Sequence, residues 1–361
     1  MTKSSSRLAS LDILRGLDLF LLVWLQPVLL SIGGATDAEW YHRLLWHFDH
    51  ERWVGLRLWD MVMPLFLFMV GTAMPFAFAR FRSGPELDRR GVYRRIGRRF
   101  LLLFLFGMIV QGNLLALNPE AIRIYTNTLQ AIAFGYLIAS VIVLNLGLRG
   151  QLIATALLLL VYWLPMAFAG DYSLQGSFAY RVDELILGDF RGDRTYTWVW
   201  SSLTFGATVM LGAFAGTMMR GVEPRMRTRR AGLMALAGLG LIAAGLIWSL
   251  EQPIIKRLWT ASMTLVSGGI CFLLMALFYW WVDALGHTRG LDWLKIYGTN
   301  AITAYVLGEV VDFRSIVNSI SFGLQPIIGD EWYAVWLTFG NFGVLFLILL
   351  AMYRTHTHLK L

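Results

Sequence analysis

LWTASMTLVSGGICFLLMALFYWWV, residues 258–282, runs for 25 positions without an Asp, Glu, Lys or Arg. A helix crosses the hydrocarbon core of a bilayer in about 20 apolar residues, so this stretch reads as a transmembrane helix. Working outward from it gives further spans at 17–34, 59–79, 100–117, 126–147, 151–169, 198–219, 231–250, 296–311 and 332–353, ten in all, seven of them uncharged. The shortest, 296–311, is cut by Glu309 and Asp312, and the uncharged stretch Ser315–Gly329 after it reads as re-entrant or interfacial. The expectation is an all-α, polytopic integral membrane protein of about ten helices, with residues 1–361 forming a single domain.

Composition agrees. The chain is 57% apolar and 15% charged, against about 25% charge in soluble domains. Soluble enzymes are excluded. The single cysteine, Cys271, allows no intrachain disulfide and is expected to serve packing. A net charge of +8 could suggest nucleic acid, but the basic residues sit between the spans rather than in a domain of their own. With alternate loops assigned to the two sides, one side holds 20 Lys and Arg and the other 10, with Arg15 at the boundary. Cytoplasmic loops retain positive charge, so both termini are expected inside, together with the loops at 81–99 and 220–230. The first span is not expected to be a cleaved signal peptide, because LASLDIL precedes Arg15.

Three external segments are long enough to shape a site: 35–58, 170–197 and 312–331. The first carries His42, His47 and His50, three of the six histidines, just before Asp60. With Asp49 they offer metal-ligand chemistry, but their spacing matches no metal signature, and no metal is expected. Ionisable groups inside a membrane are costly and invite a functional reading. Asp12 and Arg15 are spaced to pair at the inner end of the first helix, and Asp18 lies one turn deeper, placed to join them. Asp60 opens the second span, where a carboxylate also favours the helix dipole. Glu309, Asn300 and Tyr305 put polar groups on one helix, for which bonding between helices is the plain alternative.

Seven blocks in order resemble one family. RLASLDILRGLDLFLLVW begins at Arg7; HERWVGLRLWDMVMPLFLFMVG begins at His50; RRIGRRFLLLFLFGMIVQG begins at Arg94. IRIYTNTLQAIAFGYLIAS, AYRVDELILG, KRLWTASMTLVSGG and YGTNAITAYVLGEVV follow. The chain resembles the bacterial relatives of heparan-alpha-glucosaminide N-acetyltransferase, a family of transmembrane acyltransferases. The second block is the most specific, similar to the family's HxxWxGxxxxDLxxPxFxFxxG pattern.

The resemblance implies transfer of acetyl from cytosolic acetyl-CoA to the amino group of a glucosamine-type sugar on the opposite, periplasmic side, in a bacterial inner membrane. It places His50 at the family's histidine, where an imidazole suits a general base or a transient acyl carrier. Asp60 is its expected catalytic companion. Ten residues span about 15 Å along a continuous helix, so direct pairing requires the chain to bend, which Gly55 permits. Gln26, Trp53, Gln130 and Asn300 are the expected substrate-binding residues. Arg15, Arg94, Arg95, Arg98 and Arg99 are expected at the anionic nucleotide of acetyl-CoA, although the positive-inside rule also accounts for such arginines. The chain departs from the family at Gln26–Pro27, where Asn and a Gly-rich run are common, at Ala131, where LQR becomes LQA, and at Thr299, where GMN becomes GTN. These departures bear on acceptor specificity and on activity.

Two other classes compete. A carrier of amino sugars or cell-wall fragments would share the spans and the midmembrane polar groups, but the SLDILRG, HERW and YGTN blocks have no second copy of the kind an inverted repeat would leave. A scaffold protein would leave the histidine–tryptophan block unexplained. The expected partners are therefore acetyl-CoA, an amino-sugar acceptor and the lipid bilayer, without nucleic acid; pairing with a second copy of the chain stays open.

Overall fold

The computed structural model describes residues 8–79, 89–111, 118–192 and 196–357. Lipid offers no hydrogen bonds to a backbone, so a segment this apolar has to satisfy its own N–H and C=O groups, and it does so as helix. In chain order the helices are α1 (Ala9–Gly34), α2 (Glu39–Leu45), α3 (Leu58–Ala77), α4 (Arg89–Val110), α5 (Thr128–Asn145), α6 (Leu148–Phe168), α7 (Phe178–Leu187), α8 (Ser202–Met219), α9 (Pro224–Trp248), α10 (Ala261–Ala284), α11 (Asp292–Thr299), α12 (Ala301–Val310), α13 (Arg314–Ser321), α14 (Gln325–Ile328) and α15 (Asp330–Arg354). No strand occurs among the described residues; one isolated parallel bridge pairs Gly55 with Ile255. Eight of these helices, α1, α3, α5, α6, α8, α9, α10 and α15, are long and apolar enough to cross a membrane. The chain is an integral membrane protein.

Two of the ten expected spans take another form. The span at 100–117 is the apolar end of α4, whose first turns carry the arginines and whose helix ends at Val110; residues 112–117 lie outside the described residues. The span at 296–311 is broken at Asn300 into α11 and the ten-residue α12. The first span starts earlier than expected, so Asp12, Arg15 and Asp18 all lie inside α1. Part of the basic loop at 81–99 falls outside the described residues.

Contacts divide the chain into two compact units. One comprises Met1–His50, Arg57–Val62 and Trp281–Lys360, the other Glu51–Leu56 and Met63–Trp280. In the first, α1 crosses α11 at a pair of glycines: a Cβ on Gly16 would strike the carbonyl of Leu294, and one on Gly298 the carbonyl of Asp12. Small residues let helix backbones approach where lipid offers no hydrophobic drive. The N-terminus of α1 is tied down by Asp283, which accepts from the Ala9 N–H at 3.1 Å and from the Ser10 hydroxyl. Leu21–Leu25 widen into a π turn. Pro27 follows, and the wider turn relieves the clash of its ring with the carbonyl four residues back. Trp24 then packs edge-on against Phe339 of α15 with ring centroids 5.0 Å apart.

The second unit is a bundle around α8, most of which is buried. Gly212 and Gly216 of α8 meet the carbonyls of Phe68 and Thr72 in α3 closely enough to exclude any Cβ. Trp259 is fully buried and donates its indole N–H to Thr208 at 3.1 Å. Cys271 is buried among the α10 packing residues.

Candidate active site

His50 lies near the start of the irregular stretch 49–57 that follows α2 and the turn Trp46–Phe48, and Asp60 lies in the 3₁₀ turn Leu58–Met61 that starts α3. The chain between them does bend. Gly55 adopts φ +121, a value that side-chain-bearing residues rarely tolerate, and its N–H donates to the carbonyl of Ile254 at 2.8 Å. The result brings His50 Nδ1 to 2.9 Å from Asp60 Oδ1. Asp60 has no solvent exposure, while half of the His50 side chain is exposed. The second carboxylate oxygen, Oδ2, accepts from the Arg57 backbone N–H at 2.9 Å. Asp60 therefore caps α3 and holds His50 at once, so the helix-capping and the catalytic readings of this residue are compatible.

The chemistry follows from that geometry. An ionised carboxylate accepts from Nδ1–H and so fixes the tautomer in which Nε2 keeps its lone pair. Nε2 lies on the side of the ring away from Asp60. A half-exposed imidazole with that tautomer can take a proton from an incoming nucleophile.

Other expected site residues have assignable contacts. Gln26 donates its amide to the carbonyl of Phe48 at 2.8 Å and so fastens the turn that precedes His50. Trp53 donates its indole N–H to the carbonyl of Tyr172 at 2.8 Å. Gln130 is fully buried; its Oε1 accepts from the N–H groups of Thr126 and Asn127 at 2.8 and 3.0 Å, capping α5, while its Nε2 has no hydrogen-bond partner among the described residues. Asn300 is buried at the break between α11 and α12. Arg15 reaches the carbonyl of Gly298 at 3.4 Å. Arg94, Arg95 and Arg98 are exposed on α4, whereas Arg99 is half-buried with its guanidinium 4.5 Å over the Tyr136 ring. Asp18 is buried and neither carboxylate oxygen has a hydrogen-bond partner among the described residues, so it does not join Asp12 and Arg15 through a hydrogen bond. His42 bonds the carbonyl of Thr36 at 2.9 Å, and no group of three His, Cys, Asp or Glu side chains able to hold a metal occurs among the described residues.

Two residues carry more than the sequence reading gave them. Arg57 stands three positions before Asp60, the spacing at which a first-turn carboxylate reaches back to the residue that precedes the helix; that spacing was the available signal. Asp183, in the AYRVDELILG block, is fully buried in α7, and its Oδ1 accepts from the Val199 N–H at 2.8 Å. Burial pushes its pKa up to about 7, against the opposing pull of that hydrogen bond and of Arg191.

No family model matches the chain. It is similar to heparan-alpha-glucosaminide N-acetyltransferase of Homo sapiens, 25% identical over 376 residues that cover 85% of this chain and 53% of that protein. It is also similar to the enzyme of the same name from Mus musculus, 24% identical over 376 residues, covering 86% of this chain and 54% of that protein. The chain spans about half the length of the curated relatives it matches. These two similarities support distant homology to that family.

Proposed function

We propose that the chain is a transmembrane acetyltransferase that passes the acetyl group of cytosolic acetyl-CoA to the amino group of a glucosamine-type sugar on the external side, with His50 as general base. The observation that carries this reading is the 2.9 Å pairing of His50 with the buried Asp60 inside the HERWVGLRLWDMVMP block. The distant similarity to two N-acetyltransferases supports it. In this reading residues 1–361 act as one domain of about ten crossings with both termini cytoplasmic, set in a bacterial cytoplasmic membrane; the charge bias of the loops and an even number of spans support that orientation.

The reaction needs an amine with a free lone pair. The nitrogen attacks the thioester carbonyl, a C–N bond forms, the C–S bond breaks, and the proton shed by nitrogen passes to His50 Nε2 and on to the departing thiolate. Asp60 stabilises the imidazolium that forms between those transfers. Acetyl-CoA carries phosphate charges, and the exposed guanidinium groups of Arg94, Arg95 and Arg98, with Arg99 and Arg15, are the cations proposed to receive them. Gln26, Trp53, Gln130 and Asn300 are proposed to handle the acceptor, Gln130 through the amide nitrogen that its capping role does not use.

The deciding experiment incubates detergent-purified protein with labelled acetyl-CoA and a panel of amino sugars. Acetylated sugar is the expected result. Absence of product from every sugar, together with sugar uptake by protein-loaded vesicles, would replace the transferase with a carrier.

A further inference from the structure

His50 lies on a short irregular stretch and is half exposed, so packing alone does little to hold its ring. Polar fasteners surround it instead. The Arg57 side chain is almost fully covered although Asp49, its ion-pair partner, is mostly exposed. Its Nη1 donates to the carbonyl of Trp46 at 3.3 Å and lies 3.5 Å from Asp49 Oδ2, and its guanidinium carbon sits 4.2 Å over the Trp46 ring. Asp49 in turn accepts from the His50 backbone N–H at 2.7 Å. At its other end, the Arg57 backbone N–H donates to Asp60 Oδ2 at 2.9 Å. One residue thus grips both halves of the catalytic pair: the loop that carries the imidazole through its side chain, the carboxylate through its backbone.

We propose that Arg57 is a positioning residue that sets the orientation of His50 against Asp60, with the guanidinium clamped between Trp46 and Asp49 as the fastening. The inference rests on the reading of His50 as the base. An ion pair at 3.5 Å to a mostly exposed carboxylate is weak by itself; the planar guanidinium adds stacking on the indole and a hydrogen bond to the Trp46 carbonyl, which an ammonium cannot reproduce together. Gln26, bonded to the carbonyl of Phe48, fastens the same turn from α1.

The test compares wild type, Arg57→Gln, Arg57→Lys and His50→Ala by steady-state kinetics and by 15N NMR of histidine-labelled protein, the His50 signals being assigned by their loss in His50→Ala. The backbone bond from residue 57 to Asp60 survives in every variant, so α3 keeps its cap. Arg57→Gln is expected to lower kcat about 10- to 100-fold, the scale set by small misplacements of a catalytic group. KM for acetyl-CoA should stay within about twofold, since the donor gains nothing from this clamp. The His50 15N pattern should move from a single tautomer toward the average of a free imidazole, and Arg57→Lys should recover part of both losses. A wild-type kcat with an unchanged 15N pattern in Arg57→Gln would overturn the proposal, and so would a lost kcat with an unchanged 15N pattern. If His50→Ala transfers acetyl normally, the base reading fails, yet the 15N pattern still reports whether Arg57 orients the ring. Should Arg57→Gln fail to fold, the Arg57→Lys variant carries the same comparison.

Discussion

His50 Nδ1 and Asp60 Oδ1 lie 2.9 Å apart, a half-exposed imidazole held by a carboxylate with no exposure of its own. Replacing Asp60 by Asn keeps the size of the side chain and reverses its chemistry, because an amide can donate to Nδ1 and so favour the tautomer whose Nε2 carries the proton. Asp60→Asn should lower kcat by about 10²- to 10⁴-fold, the usual contribution of a positioned base, with acetyl-CoA binding intact. His50→Ala should abolish transfer while the protein stays folded. His47 is exposed and meets the adjacent Trp46 ring edge-on, so His47→Ala should be much milder. An acetylated protein formed without acceptor, with ping-pong kinetics, would make His50 an acyl carrier instead of a base.

The donor assignment predicts a salt-dependent effect confined to one substrate. Arg94 and Arg98 are exposed on α4, so charge reversal at both costs little packing, whereas reversal of Arg99 would also remove its stacking on Tyr136. Arg94→Glu with Arg98→Glu should weaken CoA binding measured by calorimetry, more at low than at high ionic strength, and leave the KM of the sugar nearly unchanged. Unaltered CoA affinity would reduce these arginines to signals of topology.

Much of this was legible in the sequence because membrane helices announce themselves by length and the absence of charge, and because the HERWVGLRLWD block carries its own spacing. The bend at Gly55 that joins His50 to Asp60 could be anticipated from a ten-residue gap too long for a straight helix to close. Other features could not. The α1–α11 crossing depends on Gly16 and Gly298 lying opposite one another, and nothing in a single sequence says which glycines pair. The π turn at Leu21–Leu25 depends on how α1 absorbs Pro27. Asp18 has the spacing to join Asp12 and Arg15, but spacing fixes only where a side chain starts, and its carboxylate ends without a hydrogen-bond partner among the described residues. Asn300 divides a run of apolar residues that reads as one span, because its backbone leaves the helical region at φ −118 and ψ 39.

The proposed orientation is testable with single cysteines in a Cys271→Ser background. Gln175 and Thr228 are both exposed, and charge bias assigns them to opposite sides. In intact spheroplasts a membrane-impermeant maleimide should label Gln175→Cys and spare Thr228→Cys until the membrane is opened. Labelling of both, or the reverse order, would overturn the topology and with it the external placement of the His50 loop.

Asp183 gives the fold a pH dependence separate from catalysis. Its carboxyl rises from 3.8 to about 7 in the folded protein because burial outweighs the hydrogen bond from Val199. Between those two values the unfolded chain has released the proton and the native one keeps it, so the native state binds more protons and stability falls as pH rises. Below 3.8 both states are protonated and the contribution of this residue is fully present; above about 7 both are ionised and the loss is complete and constant. At 1.36 kcal/mol per pH unit the loss across the window is on the order of 4 kcal/mol. Asp183→Asn can keep the acceptor for Val199 and removes the ionisation. In detergent, the melting midpoint of the wild type should therefore fall between pH 4 and 7 relative to that of Asp183→Asn, and the two curves should run parallel above that range. Parallel curves across the whole range would mean that Asp183 titrates in the folded protein as it does in the unfolded chain, with water or a counter-charge reaching its second oxygen.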